Sequence, residues 1–332
     1  MGHEVDLKNQ NIRTDLAIEL TSNKARSEED DIKITDIKLM HDEAIKIGKK
    51  EGIYVTIEFK DITDSSNREK VKKVFTKELK KVIKNLNIKD DDLCLIIGLG
   101  NSKSTPDSLG PLTVDKALVT NHLYMYGELE KGFRRTCCFT PGVTGETGIE
   151  TSDLIKDICK TVKPNFVIVI DALASSSTER VNKTIQITDA GINPGSGIGN
   201  KRKEISRDIL NIPVIAIGVP TVVDAASIVN DTINYMYHHF AYKKENYNKP
   251  KNKLAVNVNY MKYKSKIDKE DKEKLFGMVG TLSKSETKAL IYEILTPIGY
   301  NLMVTPKEED FIIEKLSELI GEGINDAIHF NN

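Results

Sequence analysis

Short apolar runs broken by glycine, proline or polar turns pace the middle of the chain. Leu93 to Ile97, Arg135 to Thr140, Phe166 to Ile170, Thr184 to Thr188 and Pro213 to Ile217 have the length and β-branched content of buried strands. Between them the spacing predicts a helix near Leu109–Tyr124, one over Asp153 to Val162, and one running to about Phe240 with Val229, Ile233, Met236 and Phe240 on a single stripe. Upstream, Ile32 to Met40 reads as a strand whose apolar phase changes near Thr35-Asp36, as a bulge would cause. Ile53, Val55, Ile57 and Phe59 alternate as a half-buried strand does, and Asn67 to Leu86 has helical spacing with lysines on its far, solvated face. Tyr242 to Lys269 is lysine- and asparagine-rich and reads as a surface linker; helices over about 283–295 and 306–320 close the chain, kept apart by the glycine and prolines of TPIGYNLMVTP. Strands alternating with helices predict an α/β fold with a mostly parallel, doubly wound sheet, its core over about 90–240, and a smaller charged, strand-rich insertion.

Composition narrows the function classes. With 332 residues there is enough chain for a sizeable core, and a formal charge of -1 leaves no basic field for direct nucleic-acid binding. The four cysteines form no C-x-x-C pair, so zinc and thioredoxin-like readings are weak; Cys94 and Cys159 fall at core positions. The polar start MGHEVDLKNQ has no signal-like apolar segment, and no run reaches the roughly 18 apolar residues of a membrane span. A cytoplasmic protein is the expectation.

The candidate chemistry gathers at strand ends. The Leu93 strand breaks at Gly98-Leu99-Gly100-Asn101 and delivers Asp107 just before a helix; the Phe166 strand runs into Asp171. In open α/β sheets such carboxyl ends are where ligands bind. A dinucleotide fingerprint fails because Lys103 stands where its third glycine belongs, and Gly195 to Lys201 lacks the Gly-Lys-Ser/Thr ending of a phosphate loop, which leaves Lys201-Arg202-Lys203 either as solvated charge on a backbone-shaping loop or as cations that orient a peptide or a neighbouring subunit. There is no G-x-S-x-G and no H-E-x-x-H, and His122 and the His238-His239 pair are scattered. Asp107 and Asp171 could each merely cap a helix or turn. If both enter one cleft, they cannot both ionise cheaply, and the pair can activate water and protonate a leaving amine.

Longer matches go further. RTDLAIE at Arg13–Glu19, GLGNSKSTPDSLGP from Gly98, PGVTGETGIETSD from Pro141, IDALASSSTERVN from Ile170, GINPGSGIGNKRKEIS from Gly191, IPVIAIGVPTVVDA from Ile212 and YNLMVTPKE from Tyr300 resemble, in order, the germination protease family of spore-forming bacteria. The resemblance implies an atypical aspartic endopeptidase that degrades small acid-soluble spore proteins on germination, assembles as a homotetramer and resides in the forespore or spore core. It implies a three-layer α/β/α sandwich like that of hydrogenase-maturation endopeptidases, and catalytic roles for Asp107 and Asp171. It also implies a zymogen cut after an acidic residue and before an apolar residue followed by Ala. Thr14-Asp15-Leu16-Ala17 fits, which makes 1–15 a propeptide, 16–332 one protease domain ending in helices over 283–325, and the Asp15–Leu16 bond the site of self-cleavage. Leu16 to Leu20 could equally be a first strand. Backbone amides around Gly98, Gly100 and Asn101, or around Gly142 and Gly145, are candidates to hold an oxyanion and the substrate. No cofactor is expected. A metal-dependent endopeptidase with the same aspartates as ligands, and a non-enzymatic nickel- or nucleotide-binding module, are the alternatives.

Overall fold

The computed structural model describes residues 14–21, 26–29, 31–195, 202–249, 267–295 and 302–329. A 3-10 turn over Ala17–Glu19 comes first, then strands β1 (Ser27–Glu29) and β2 (Ile32–Leu39), helix α1 (His41–Ile47), strand β3 (Gly52–Glu58) and the long helix α2 (Ser65–Asn85). Strand β4 (Cys94–Gly98) leads through a 3-10 turn at Thr105–Asp107 into α3 (Leu109–Val114) and α4 (Asn121–Tyr126). Strand β5 (Thr136–Phe139), helices α5 (Thr144–Thr147) and α6 (Thr151–Val162), strands β6 (Phe166–Ser175) and β7 (Thr184–Thr188), helix α7 (Arg207–Leu210) and strand β8 (Val214–Asp224) follow. The chain continues through α8 (Ala225–Asn246), α9 (Lys269–Phe276), α10 (Met278–Thr281), α11 (Lys284–Leu295), β9 (Met303–Val304) and α12 (Glu309–Ile328).

The strands form one sheet in the order β1-β2-β3-β7-β8-β6-β4-β5, with β9 added to β8. It is mixed rather than mostly parallel. β4 runs parallel to both β5 and β6, whereas β1–β2, β2–β3, β3–β7 and β7–β8 are all antiparallel. Alternation alone could not reveal this, because the upstream hairpin of β2 and β3 joins the sheet through β7, far along the chain.

Both faces of the sheet are covered, and the alternation along single strands shows it. In β4, Cys94 and Ile96 pack into a core with Phe75 and Leu79 of α2 and Leu316 and Ile320 of α12, while Leu95 and Ile97 pack with Ile155 of α6. In β6, Phe166, Ile168 and Ile170 join the first core, and Val167 and Val169 the second. Asp64 caps α2 by accepting a hydrogen bond from the Asn67 amide, and the predicted apolar face of that helix is the buried one.

The phase change in β2 is not a bulge. Its pairing with β3 is uninterrupted from Lys33↔Glu58 to Leu39↔Gly52. Instead Ile32 and Ile34 belong to the core under α2, and Ile37 and Leu39 to a separate cluster on the other face, made with Leu16, Ala17, Tyr54 and Leu173. β3 is for the same reason buried on both faces, not one. Two further strands outrun their predicted ends: β6 continues through Asp171 to Ser175, and β8 continues through Gly218-Val219-Pro220 to Asp224. The single helix expected near Leu109–Tyr124 is two, α3 and α4.

The described residues divide into two compact units, one within 14–175, 179–222 and 305–329, the other within 176–178 and 223–304. In the latter, Ala226 of α8 packs with Ile291 and Tyr292 of α11, and Tyr237 meets Phe276 edge-on at 5.2 Å. The stripe predicted on α8 stays partly open to solvent: Val229, Met236 and Phe240 each keep more than a third of their surface. The predicted linker begins as the end of α8 and closes as the start of α9; its stretch 250–266 lies outside the described residues, as do 196–201 of the glycine-rich loop and 1–13 of the expected propeptide.

Candidate active site

Strand β4 ends at Gly98, and the chain turns back on itself so tightly that glycine is required. A Cβ built on Gly98 would lie 2.3 Å from the Gly110 carbonyl oxygen, and one on Gly110 would lie 2.2 Å from that of Leu99. Gly100 sits at φ +108°, where a side chain would also collide with the Asp107 carbonyl. The turn brings Asp107 against the end of β4: the Asn101 amide donates both to the Asp107 carboxylate Oδ2 at 2.9 Å and to its carbonyl at 3.0 Å. Asp107 is held as the last residue of its 3-10 turn, with the Asn101 amide already engaged.

Asp171 reaches the same edge by a different route. Gly98 pairs with Ile170 in the β4–β6 ladder, and the Leu99 amide donates to the Ile170 carbonyl at 2.8 Å. Asp171 follows directly, only 5% exposed. It is neither a strand end nor a turn cap, since β6 runs on past it.

The two carboxyls feel each other. Burial pushes the Asp171 carboxyl well above the ordinary carboxylate range, and the charges of Asp107 and Asp15 push it further; the Ala172 amide and the Arg202 guanidinium oppose this. Asp107 is also raised by burial, against the pull of the Asn101 amide and Arg202. Arg202 therefore faces both acids. Its guanidinium also donates to the Thr144 hydroxyl, on the loop that carries Gly142 and Gly145. Gly142 needs its glycine for a φ of +71°, whereas nothing lies within 4 Å of a Cβ at Gly145. Among the described residues, no group of three or more His, Cys, Asp or Glu side chains is placed to hold a metal ion.

A length of the chain's own backbone lies against β6 beyond Asp171. The Asp15 amide donates to the Ala174 carbonyl at 3.0 Å, and the Ala174 amide donates to Asp15 Oδ2 at 2.9 Å. Leu16 and Ala17 are fully buried in the cluster with Ile37, Tyr54 and Leu173. The Gln186 side chain, on β7 and 5% exposed, spans the Asp15–Leu16 bond: its Oε1 accepts from the Ala17 amide at 2.8 Å and its Nε2 donates to the Asp15 carbonyl at 3.3 Å. Lys49 Nζ donates to the Thr14 carbonyl at 3.0 Å; burial lowers its pKa, and the charges of Asp15 and Glu19 resist that. Glu19 Oε1 accepts from the Ser175 hydroxyl at 2.7 Å and pairs with Arg180 at 3.4 Å, while its Oε2 accepts from the Thr14 hydroxyl. The segment is thus a bend followed by a helical turn, and not the strand that Leu16–Leu20 might have been. A cavity of about 90 Å³ opens beside it, lined in part by Asp15, Lys49, Gln186 and Ser206 and roomy enough for several water molecules.

Of the residues singled out in the sequence, Asp107 and Asp15 both come within electrostatic range of Asp171, and Gly98, Gly100 and Asn101 build the turn beneath Asp107. Gly142 and Gly145 meet this group through Thr144 and Arg202, and through the ion pair of Glu146 with Lys103 at 3.1 Å. Arg202 is not solvated charge. Lys49, Gln186 and Arg180 escaped the sequence reading; only Gln186 left a trace, as a large amide in the middle of the otherwise β-branched run Thr184–Thr188.

A peptide segment fastened along a sheet strand, beside an aspartate whose carboxyl is raised by burial and by the charge of Asp107, is an arrangement suited to the hydrolysis of peptide bonds. Comparison with known proteins agrees. The pattern of the germination protease family, Peptidase_A25, matches residues 3–332. The chain is 45% identical to the germination protease of Priestia megaterium over 99% of its own length and 96% of that protein's, and 44% identical to that of Bacillus subtilis over 98% and 95%. The germination protease of a Geobacillus strain matches at 45% over 99% and 96%. The chain belongs to the germination protease family and is an endopeptidase.

Proposed function

We propose that Asp107 and Asp171 are the hydrolytic pair of this endopeptidase and that the chain is a zymogen which cuts itself between Asp15 and Leu16. The observation that carries the reading is the two-bond pairing of Asp15 with Ala174, on the strand that bears Asp171. In this reading Asp171, the more strongly raised of the two, keeps the shared proton, and Asp107, steadied by the Asn101 amide, is the base. Asp107 takes a proton from water as the water oxygen adds to the peptide carbon. Asp171 gives its proton to the substrate, so that the amine departs neutral. Arg202 favours the ionised member of the pair. Backbone amides of the Gly98–Asn101 turn and of the loop from Gly142 to Gly145 remain candidate contacts for substrate, the Asn101 amide only if it leaves Asp107.

In this reading the substrates in trans are small acid-soluble spore proteins, cut at acidic–apolar bonds by a homotetramer in the spore core, as the family resemblance implies. No helix among the described residues is long and apolar enough to cross a membrane.

N-terminal sequencing of the matured protein is expected to begin at Leu16, and Asp107→Asn and Asp171→Asn are each expected to lower the cleavage rate by at least ~1,000-fold while the protein stays folded. A mature chain starting elsewhere defeats the self-processing reading. Cleavage retained in both variants defeats the mechanism.

A further inference from the structure

The aspartate pair accounts for the proton transfers but leaves the scissile carbonyl oxygen to be dealt with. The Gly98–Asn101 turn does not serve it readily, since the Asn101 amide is committed to Asp107. The group that touches the Asp15 carbonyl is elsewhere. Gln186 projects from the middle of β7, paired with Thr56 on one side and Gly218 on the other. Alternation puts its side chain on the sheet face of Tyr54 and Leu173, away from the face of Ile185 and Ile187. Asp171 shares that face, two positions before Leu173 on β6.

The amide cannot be turned round. Its oxygen must face the Ala17 N–H and its NH₂ must face the Asp15 carbonyl, because either reversal sets donor against donor or acceptor against acceptor. A buried primary amide on an all-buried strand carries a desolvation cost, and here it is satisfied wholly by the backbone on either side of one peptide bond.

We infer that Gln186 is a catalytic residue of the self-cleavage reaction, its Nε2–H binding the Asp15 carbonyl oxygen as negative charge develops there, and its Oε1 holding the departing side of the bond in register through Ala17. The inference rests on the proposed cut at Asp15–Leu16. In the first step the water oxygen bonds to the Asp15 carbonyl carbon, a water proton passes to the ionised carboxylate, and the carbonyl π pair moves onto the oxygen facing Nε2. In the second the carbonyl re-forms, the carbon–nitrogen bond breaks, and the Leu16 nitrogen leaves with the proton of the protonated carboxyl. Gln186 neither gains nor loses a proton. At 3.3 Å its donor bond is long in the resting chain, and pyramidalisation at the carbon is the change that would shorten it.

The test uses the full-length chain and two nearly isosteric variants. Gln186→Glu keeps an acceptor for the Ala17 amide and loses the donor; Gln186→Met loses both. The rate of appearance of the chain beginning at Leu16 is followed by mass spectrometry. In parallel, hydrogen exchange at the Ala17 amide is measured with each variant placed on an Asp107→Asn background, where no cut occurs. The expected result is a rate lower by roughly 100- to 1,000-fold in Gln186→Glu, with Ala17 protection retained, and an equal or larger loss in Gln186→Met. Processing within threefold of the parent in either variant overturns the inference, as does a rate loss matched by the same loss of Ala17 protection, which would mark Gln186 as a docking residue only. A mature chain that begins at a residue other than Leu16 would bring down the reading beneath it, and with it this role for Gln186.

Discussion

The side chain of Asp171 is held in an environment that opposes its own ionisation, and this has a consequence for stability. A carboxyl whose folded-state value lies above its unfolded value near 3.8 binds its proton more tightly in the folded protein. Its contribution to stability is therefore fully present below that unfolded value, and it is lost as the pH climbs through the raised one. Asp171→Asn removes the titration and keeps the shape. The variant is expected to be more stable than the parent at neutral pH and indistinguishable from it below about pH 3.8. Thermal unfolding across that range checks it, and a variant less stable at neutral pH would contradict the account of the site. The same coupling gives a direction for activity: as the pH rises through the raised value of Asp171, the pair loses its shared proton and cleavage falls. Both aspartates could be singled out in the sequence because Asp171 directly follows an apolar run and Asp107 stands between a glycine turn and a helix start. Gln186, Lys49 and Arg180 could not, since each acts across the sheet on a segment far away in sequence, and no local pattern encodes that.

Among the elements, the join between β4 and α3 leaves little room for change. Gly98 and Gly110 let a strand end and a helix start touch backbone to backbone, and Asp107 is positioned by the turn between them. Gly110→Ala would place a methyl group 2.2 Å from the Leu99 carbonyl oxygen. The expected outcome is a loss of about 1–3 kcal/mol or more in denaturant unfolding, with a fall in cleavage rate larger than the loss of folded protein explains, because Asp107 is displaced. A variant with parent-like rate and stability would mean that the turn can relax. Glycines in this stretch invite a reading as ligand cradle or oxyanion loop; their clearest role here is steric. Strand β2 offers the opposite lesson. Its change of apolar phase was visible in the sequence, but its cause, a second cluster on the far face, depends on Leu16 and Ala17 folding back over the sheet.

At the level of the whole molecule, the segment on either side of Asp15–Leu16 divides unequally. Leu16, Ala17 and Ile18 are core residues, whereas Thr14 and Asp15 are held to the sheet side by hydrogen bonds and belong to no apolar cluster. A chain shortened to begin at Leu16 is therefore expected to melt within a few degrees of the full-length protein. One shortened to begin after Glu19 is expected to melt markedly lower, having lost the Leu16 side chain and a buried carboxylate bound to Ser175 and Arg180. Calorimetry on the two truncations decides it. The alternation of strands and helices announced an α/β protein, and long ordered matches announced its family. The mixed character of the sheet was hidden because its upstream strands join the rest through β3 and β7, which pair across more than a hundred residues of intervening chain, as Tyr54 does with Thr188.

Strand β6 carries an acid at Asp171 and a clasp at Ala174, and so it works as a gauge. Along an extended strand each residue advances about 3.3 Å, which sets roughly 10 Å between the two. In the proposed reading, the bond offered for cutting is chosen by that interval as much as by the letters of the peptide. One residue inserted between them would turn the acid to the opposite side of the sheet, leaving the clasped peptide intact beneath a strand with nothing to cut it.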